Sequence, residues 1–212
     1  MLRKTIKNIA LLDLQNFTAE ALREIKKIES CAMLLIPKNA SDEWKNAYAK
    51  ITIRNVASII EVSYGKYSVL NGMVVLNDKN VSDDCLYIVN GIVILETVEK
   101  IPDLCVNGLL LKRKKSRYEM TRMNGRSVEV EDNVVIKPYP NTIEIDGDTV
   151  RSFDYNTLVA AGNNVDIVDD VTEQMLSDKK ITFAAGNEVK CGKSILGYVK
   201  VCLLYTSDAA DE

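Results

Sequence analysis

VLNGMVVL (residues 69–76), YIVNGIVIL (87–95) and LCVNGLLLK (104–112) say nearly the same thing three times. Each is a short apolar run, an Asn-Gly pair and a second run of Val, Ile and Leu. A fourth, more polar copy places Met123-Asn124-Gly125 before Ser127-Val128-Glu129-Val130. By subtraction of their numbers, Gly72, Gly91, Gly108 and Gly125 are spaced 19, 17 and 17 residues apart. Both Asn and Gly tolerate positive φ better than other residues. Two-residue hairpins with type I′ turns would use the pair in this way, in a sandwich or meander. So would a corner that recurs at one place in every turn of a repeat. A spacing near 18 leaves room for roughly three strands of about five residues and their corners. The recurring period favours the second reading. The sequence therefore predicts a mainly β chain, a single-domain β-solenoid of stacked coils over residues 1–201. Short α-helices are expected in its N-terminal coils and in one late connector.

Working outward, residues 1–62 carry a different version of the pattern. Ile6-Lys7-Asn8-Ile9-Ala10, Ile28-Glu29-Ser30-Cys31-Ala32 and Ile53-Arg54-Asn55-Val56-Ala57 align at offsets of 22 and 25. Helix-like connectors lie between them. Thr18 is placed to cap the first, with Ala21, Leu22, Ile25 and Ile28 at helical spacing. Ser41 or Asp42 is placed to cap the second, with Trp44, Ala47 and Tyr48 facing inward. Plain α/β units with a parallel sheet would read the same way. From residue 63 onward strands dominate, with turns at Ser63-Tyr64-Gly65-Lys66 and around Pro138 and Pro140. Two late copies, Ala160-Ala161-Gly162-Asn163 and Ala184-Ala185-Gly186-Asn187, are 24 residues apart. A short helix is expected over residues 171–176.

The first segment resembles a leucine-rich repeat through residues 22–31, LREIKKIESC, which follow that family's cadence of Leu and Cys. The later Gly-punctuated strands resemble the right-handed β-helices of the bactofilins and of the carboxy-terminal domain of the division inhibitor MinC. These likenesses are architectural and imply no functional residue. They suggest a bacterial structural or interaction protein.

The last eleven residues, 202–212, look like a translation of the transposon-end adapter used to build sequencing libraries, and are set aside. The native reading is then expected to continue past Val201, with a carboxy-terminal cap missing and a strand edge left exposed. Removing the three acids of the tail from 30 leaves the chain balanced against 27 bases. A neutral chain gives no reason to expect nucleic acid or an anionic membrane as partner. The first 14 residues are too short in their apolar run for a signal peptide, and no run reaches membrane-spanning length. A reducing cytoplasm is expected.

Candidate chemistry is sparse. The chain has no histidine. That excludes His-dependent triads and, with no C-x-x-C pair among Cys31, Cys85, Cys105 and Cys191, makes a zinc site a poor expectation. The run Gly186-Asn187-Glu188-Val189-Lys190-Cys191-Gly192-Lys193-Ser194 approaches a phosphate loop, which reads G-x4-G-K-[ST]. Here the spacing is one residue too long, and residues 195–201 read as a strand where that loop needs a helix. The basic run Lys112-Arg113-Lys114-Lys115-Ser116-Arg117 is suited to gripping phosphates or to docking, but reads more simply as a solvated loop. Asp42-Glu43, Asp83-Asp84 and Asp169-Asp170 are neighbours in polar connectors rather than carboxylates converging from different places.

No catalytic, cofactor-binding or metal-binding residue is assigned. The expected function is that of a non-catalytic scaffold, acting on a protein partner or on further copies of itself. An accessory module of an enzyme encoded beyond Val201 is the alternative. A weaker one is a nucleotide binder using Gly192-Lys193-Ser194.

Overall fold

The computed structural model describes residues 4–63 and 65–202. It is mainly β, with five short helices among the described residues. The chain divides into two compact units. One runs up to Tyr67 and includes Asp84–Leu86; the other holds Ser68–Asp83 and Tyr87 onward.

The first unit alternates strand and helix: β1 (Lys4–Asp13), α1 (Ala19–Arg23), β2 (Ile25–Pro37), α2 (Asp42–Tyr48) and β3 (Thr52–Val62). The strands form a parallel sheet in the order β1-β2-β3. Ile6 pairs with Ile28 and Ile28 with Ile53; Ile9 pairs with Cys31 and Cys31 with Val56. The offsets of 22 and 25 read from the sequence are thus the pairing register. Between these rows Asn8, Ser30 and Asn55 all take positive φ, at 60, 56 and 52°. A polar residue recurs there because short polar side chains bear the left-handed conformation best.

The helices are held by their caps and by burial of one side. Thr18 Oγ1 accepts from the Ala21 amide, and Ser41 Oγ from the Trp44 amide. Of the two caps considered for α2, Ser41 is the one used. The first helix is shorter than its apolar spacing implied: it ends at Arg23, and Ile25 and Ile28 lie on β2. Leu22, Ile25, Ile28, Leu34, Trp44 and Ala47 form one core between helices and sheet. Trp44 stacks on Tyr48 and donates its indole N–H to the Phe17 carbonyl at 3.0 Å, so its one polar atom is satisfied.

The second unit begins with β4 (Tyr67–Asn77), β5 (Leu86–Glu96), β6 (Asp103–Arg113) and β7 (Glu119–Val130), a parallel sheet in that order. Each Asn-Gly pair lies inside a continuous strand. No hairpin forms there, because neighbouring strands run the same way. Asn107 pairs with Asn124 and Gly108 with Gly125. Gly72, Gly91, Gly108 and Gly125 have φ of 83, 138, 139 and 143°. A Cβ on Gly91, Gly108 or Gly125 would overlap the carbonyl oxygen of the glycine one strand earlier. Glycine is therefore required twice over at three of the four positions, by φ and by space.

Then follow β8 (Val135–Tyr139), β9 (Ile143–Ile145), α3 (Gly147–Ser152), β10 (Thr157–Ala161), β11 (Asn164–Ile167), α4 (Glu173–Lys179), β12 (Thr182–Ala185), β13 (Glu188–Lys190) and α5 (Leu196–Cys202). Their strands make two further parallel sheets, β8-β10-β12 and β9-β11-β13. Ala160 pairs with Ala184 and Ala161 with Ala185, the 24-residue offset of the sequence.

The expectation of one single-domain solenoid is corrected by this topology. The strands belong to four separate parallel sheets of three or four strands. In a linear stack each coil would touch only its neighbours. Here Ile92 and Ile94 of β5, Leu109 and Leu111 of β6 and Val128 of β7 share a core with Leu158, Ala160 and Ala184. The sheet β8-β10-β12 lies against the β5–β7 face, and Arg126 of β7 reaches the Ala185 carbonyl at 3.4 Å. Strands buried on both faces read as unbroken apolar runs. Such runs announce burial without saying which later strand supplies it.

One helix replaces an expected strand, and another, α3, forms where no element was expected. Where residues 195–201 read as a strand, α5 forms instead: Ile195, just before it, and Val199, one turn on, are buried while Leu196 is exposed. α3 starts where Asp146 accepts from the Thr149 amide at 2.7 Å as its cap. The late connector helix falls at Glu173–Lys179, two residues past the first residue expected for it. The residues assigned to an adapter-derived tail, 202–212, lie outside the described residues, except for the backbone of Cys202. Tyr64 of the expected turn at 63–66 lies outside them too; Gly65 there has φ 71°.

Candidate functional site

The basic run ends β6 and enters the loop towards β7. There, with β5 and the loop after β7, it lines a cleft of about 170 Å³ formed by Glu96, Val98, Arg113, Lys115, Ser116 and Asp132. Around it, charges one period apart on neighbouring strands and their following loops are opposite in sign. Lys112 Nζ lies 3.6 Å from Glu129, Lys114 Nζ 3.5 Å from Glu131, and Lys115 Nζ 3.5 Å from Asp132. Arg113 Nε lies 3.5 Å from Glu96 on the other side. Each partner is 17 residues away, one strand on or one strand back.

Arg113 does more than pair. Its Nη1 donates to the carbonyls of Glu131 at 2.7 Å and Val134 at 3.0 Å, fastening the loop between β7 and β8. Ser116 Oγ donates to the Leu95 carbonyl at 2.7 Å, and buried Thr97 donates to the Arg117 carbonyl. The basic run is therefore a set of ties between neighbouring strands. A phosphate would have to displace carboxylates already in place.

The loop after β5 is tied in the same manner. The Asp78 carboxylate accepts from the amides of Val98, Glu99 and Lys100 at 2.9–3.2 Å. The Lys100 amide, followed by those of Val98 and Glu99, holds the Asp78 carboxyl below the usual carboxylate range. Asp83 accepts from the Ile101 amide.

The acid pairs singled out in the sequence go separate ways. Asp42 and Glu43 occupy the first turn of α2, where the helix dipole favours them, and Glu43 pairs with Arg23 at 2.7 Å. Asp84 pairs with Lys66. Asp170 accepts from the Gly147 amide at the start of α3. Among the described residues no group of three or more Cys, Asp or Glu is arranged to hold a metal ion. Cys31 and Cys105 are buried, Cys85 and Cys191 half-buried, and all four are free thiols. Burial pushes the Cys105 and Cys191 thiols up, away from the thiolate a nucleophile needs.

The Gly192-Lys193-Ser194 turn precedes α5, so a helix does follow it. A Cβ at Gly192 would stand 2.9 Å from Oδ1 of Asp169. That puts a carboxylate beside the turn, and the preceding strand β13 is only three residues long.

Sequence reading missed the pairing of the basic run and the clamp at Asp78. The signal for the first was present. Shifting Lys112, Lys114 and Lys115 by the 17-residue period lands on Glu129, Glu131 and Asp132.

The chain matches no family model, no curated protein and no solved structure.

Proposed function

We propose that the chain is a non-catalytic structural or protein-interaction scaffold. One observation carries the reading: the polar groups that the sequence offers for chemistry are used between strands. Lys112, Arg113, Lys114 and Lys115 each face a carboxylate, and the Asp78 carboxylate is held by three amides. An asparagine ladder runs along the sheet, Asn107 donating to Asn90 at 2.8 Å and Asn90 to Asn71 at 2.9 Å. Acid–base catalysis needs groups left over and converging. Here the surface that remains is periodic and close to neutral. It suits a protein partner or further copies of the chain better than nucleic acid. A reducing cytoplasm, where four free cysteines stay as thiols, fits the same reading.

The test is light scattering of the purified chain over a wide concentration series, with affinity capture from host extract and mass spectrometry. Concentration-dependent assembly, or a captured protein lost again when the surface is altered, is the expected result. A monomer at every concentration with nothing captured overturns the proposal.

A further inference from the structure

Asn-Gly is the dipeptide most prone to spontaneous deamidation, because glycine puts no side chain in the way of ring closure; asparagine is among the thermally labile residues for this reason. The sheet β4–β7 contains four such pairs in adjacent strands, in very different surroundings. Asn90 is held by both ends of its amide, donating to Asn71 and accepting from Asn107. The Cβ positions of Gly91, Gly108 and Gly125 are filled by the carbonyl of the preceding glycine. Those peptide groups cannot rotate without moving the neighbouring strand. Among the described residues Asn107 is held through Nδ2 alone, and Asn90 and Asn124 are exposed as Asn71 is, so what sets Asn71-Gly72 apart from all three is the open space at its glycine. Among the described residues Asn71 is held through Oδ1 alone, and nothing lies within 4 Å of the Cβ position of Gly72. The pair is on β4, the first strand in the sheet order, where Asn71 is exposed.

We infer that Asn71 is the chain's site of spontaneous modification by deamidation, and that the stack shields Asn90, Asn107 and Asn124. The Gly72 amide nitrogen attacks Cγ of Asn71 and forms a new N–C bond. The bond from Cγ to Nδ2 breaks, and ammonia leaves with the proton from Gly72. Water then opens the five-membered imide at either carbonyl and yields aspartate or isoaspartate. No oxidant or further reagent enters. The isoaspartate product carries one extra methylene in the main chain. It displaces the row that begins at Met73 relative to Ile92 of β5.

The experiment incubates the folded chain in mildly alkaline buffer made with oxygen-18 water. Proteolytic peptide mapping then follows label uptake and the split into aspartyl and isoaspartyl forms at each of the four positions. A parallel sample is unfolded in urea. Conversion at Asn71 about tenfold faster than at the other three in the folded chain is expected, since local opening governs access to the reactive geometry. In urea the four rates converge. Folded-state conversion of Asn90, Asn107 or Asn124 as fast as that of Asn71 overturns the inference. So does a rate order that persists unchanged in urea.

Discussion

At the scale of single residues, the stacked glycines share a positive φ but not their surroundings. Gly108 has φ 139° and the Gly91 carbonyl in its Cβ space; Gly72 has φ 83° and open space. Alanine at either position bears the strain of a left-handed conformation, about 1–3 kcal/mol. At Gly108 it must also push a strand aside. Urea midpoints should therefore rank wild type, Gly72→Ala and Gly108→Ala in falling order, with Gly72→Ala closer to wild type. Equal losses for the two variants would mean that the glycines are not stacked.

Asp78 gives a pH prediction. Its carboxyl is held below its unfolded value of about 3.9 by the amides of residues 98–100. Its contribution is then complete above that value and is lost as pH falls through the lower folded one. Asp78→Asn should melt below wild type at neutral pH, and the gap should close in acid. A gap that is constant with pH would remove the charge from the explanation.

At the scale of elements, what was legible in the sequence was whatever repeats locally. The rows Ile6, Ile28, Ile53 and Ala160, Ala184 are pairing registers because period-matched strands align identical side chains on one face. The caps Thr18 and Ser41 were legible because their chemistry is local. α5 was not. Ile-Leu-Gly-Tyr-Val-Lys-Val contains both a strand-like run and an i, i+4 pair, and only the burial of Ile195 and Val199 decides between them. The candidate site was legible in part. The basic run was visible, but its partners come from other strands at a distance set by the period. The clamp at Asp78 has no sequence signature, since its donors are backbone amides.

Two substitutions test the element assignments. Ile94 is 7% exposed and packs with Leu111 and Leu158, whereas Lys114 has a 62% exposed side chain. Ile94→Asp should abolish cooperative folding, because an unpaired buried charge costs more than the chain's margin of about 5–15 kcal/mol allows once its apolar contacts are also lost. Lys114→Asp should leave the melting curve within about 0.5–1 kcal/mol of wild type, as expected for an exposed pair. Similar melting temperatures for the two would contradict the inward and outward assignments.

At the scale of the whole molecule, the difference from the sequence reading lies in how the sheets meet. The strand pattern continues through much of the chain, yet the sheet β8-β10-β12 packs across β5, β6 and β7 instead of extending them. Parallel runs apolar on both faces permit either arrangement. The choice rests on small residues: Ala160 and Ala184 are fully buried and let the second sheet approach the first. Ala160→Phe overfills that interface and should cost about 1–3 kcal/mol. Chemical denaturation measures this directly, and an unchanged midpoint would place Ala160 outside a packed interface.

The four Asn-Gly pairs stack in parallel register instead of turning hairpins. Nuclear Overhauser contacts in a chain labelled only at its ten glycines test it most directly. A connected series of inter-strand contacts is expected, Gly72 to Gly91, Gly91 to Gly108 and Gly108 to Gly125. Absence of that series, with contacts in a fully labelled sample between residues flanking each Asn-Gly pair, such as Val89 with Ile92, would establish hairpins and contradict it.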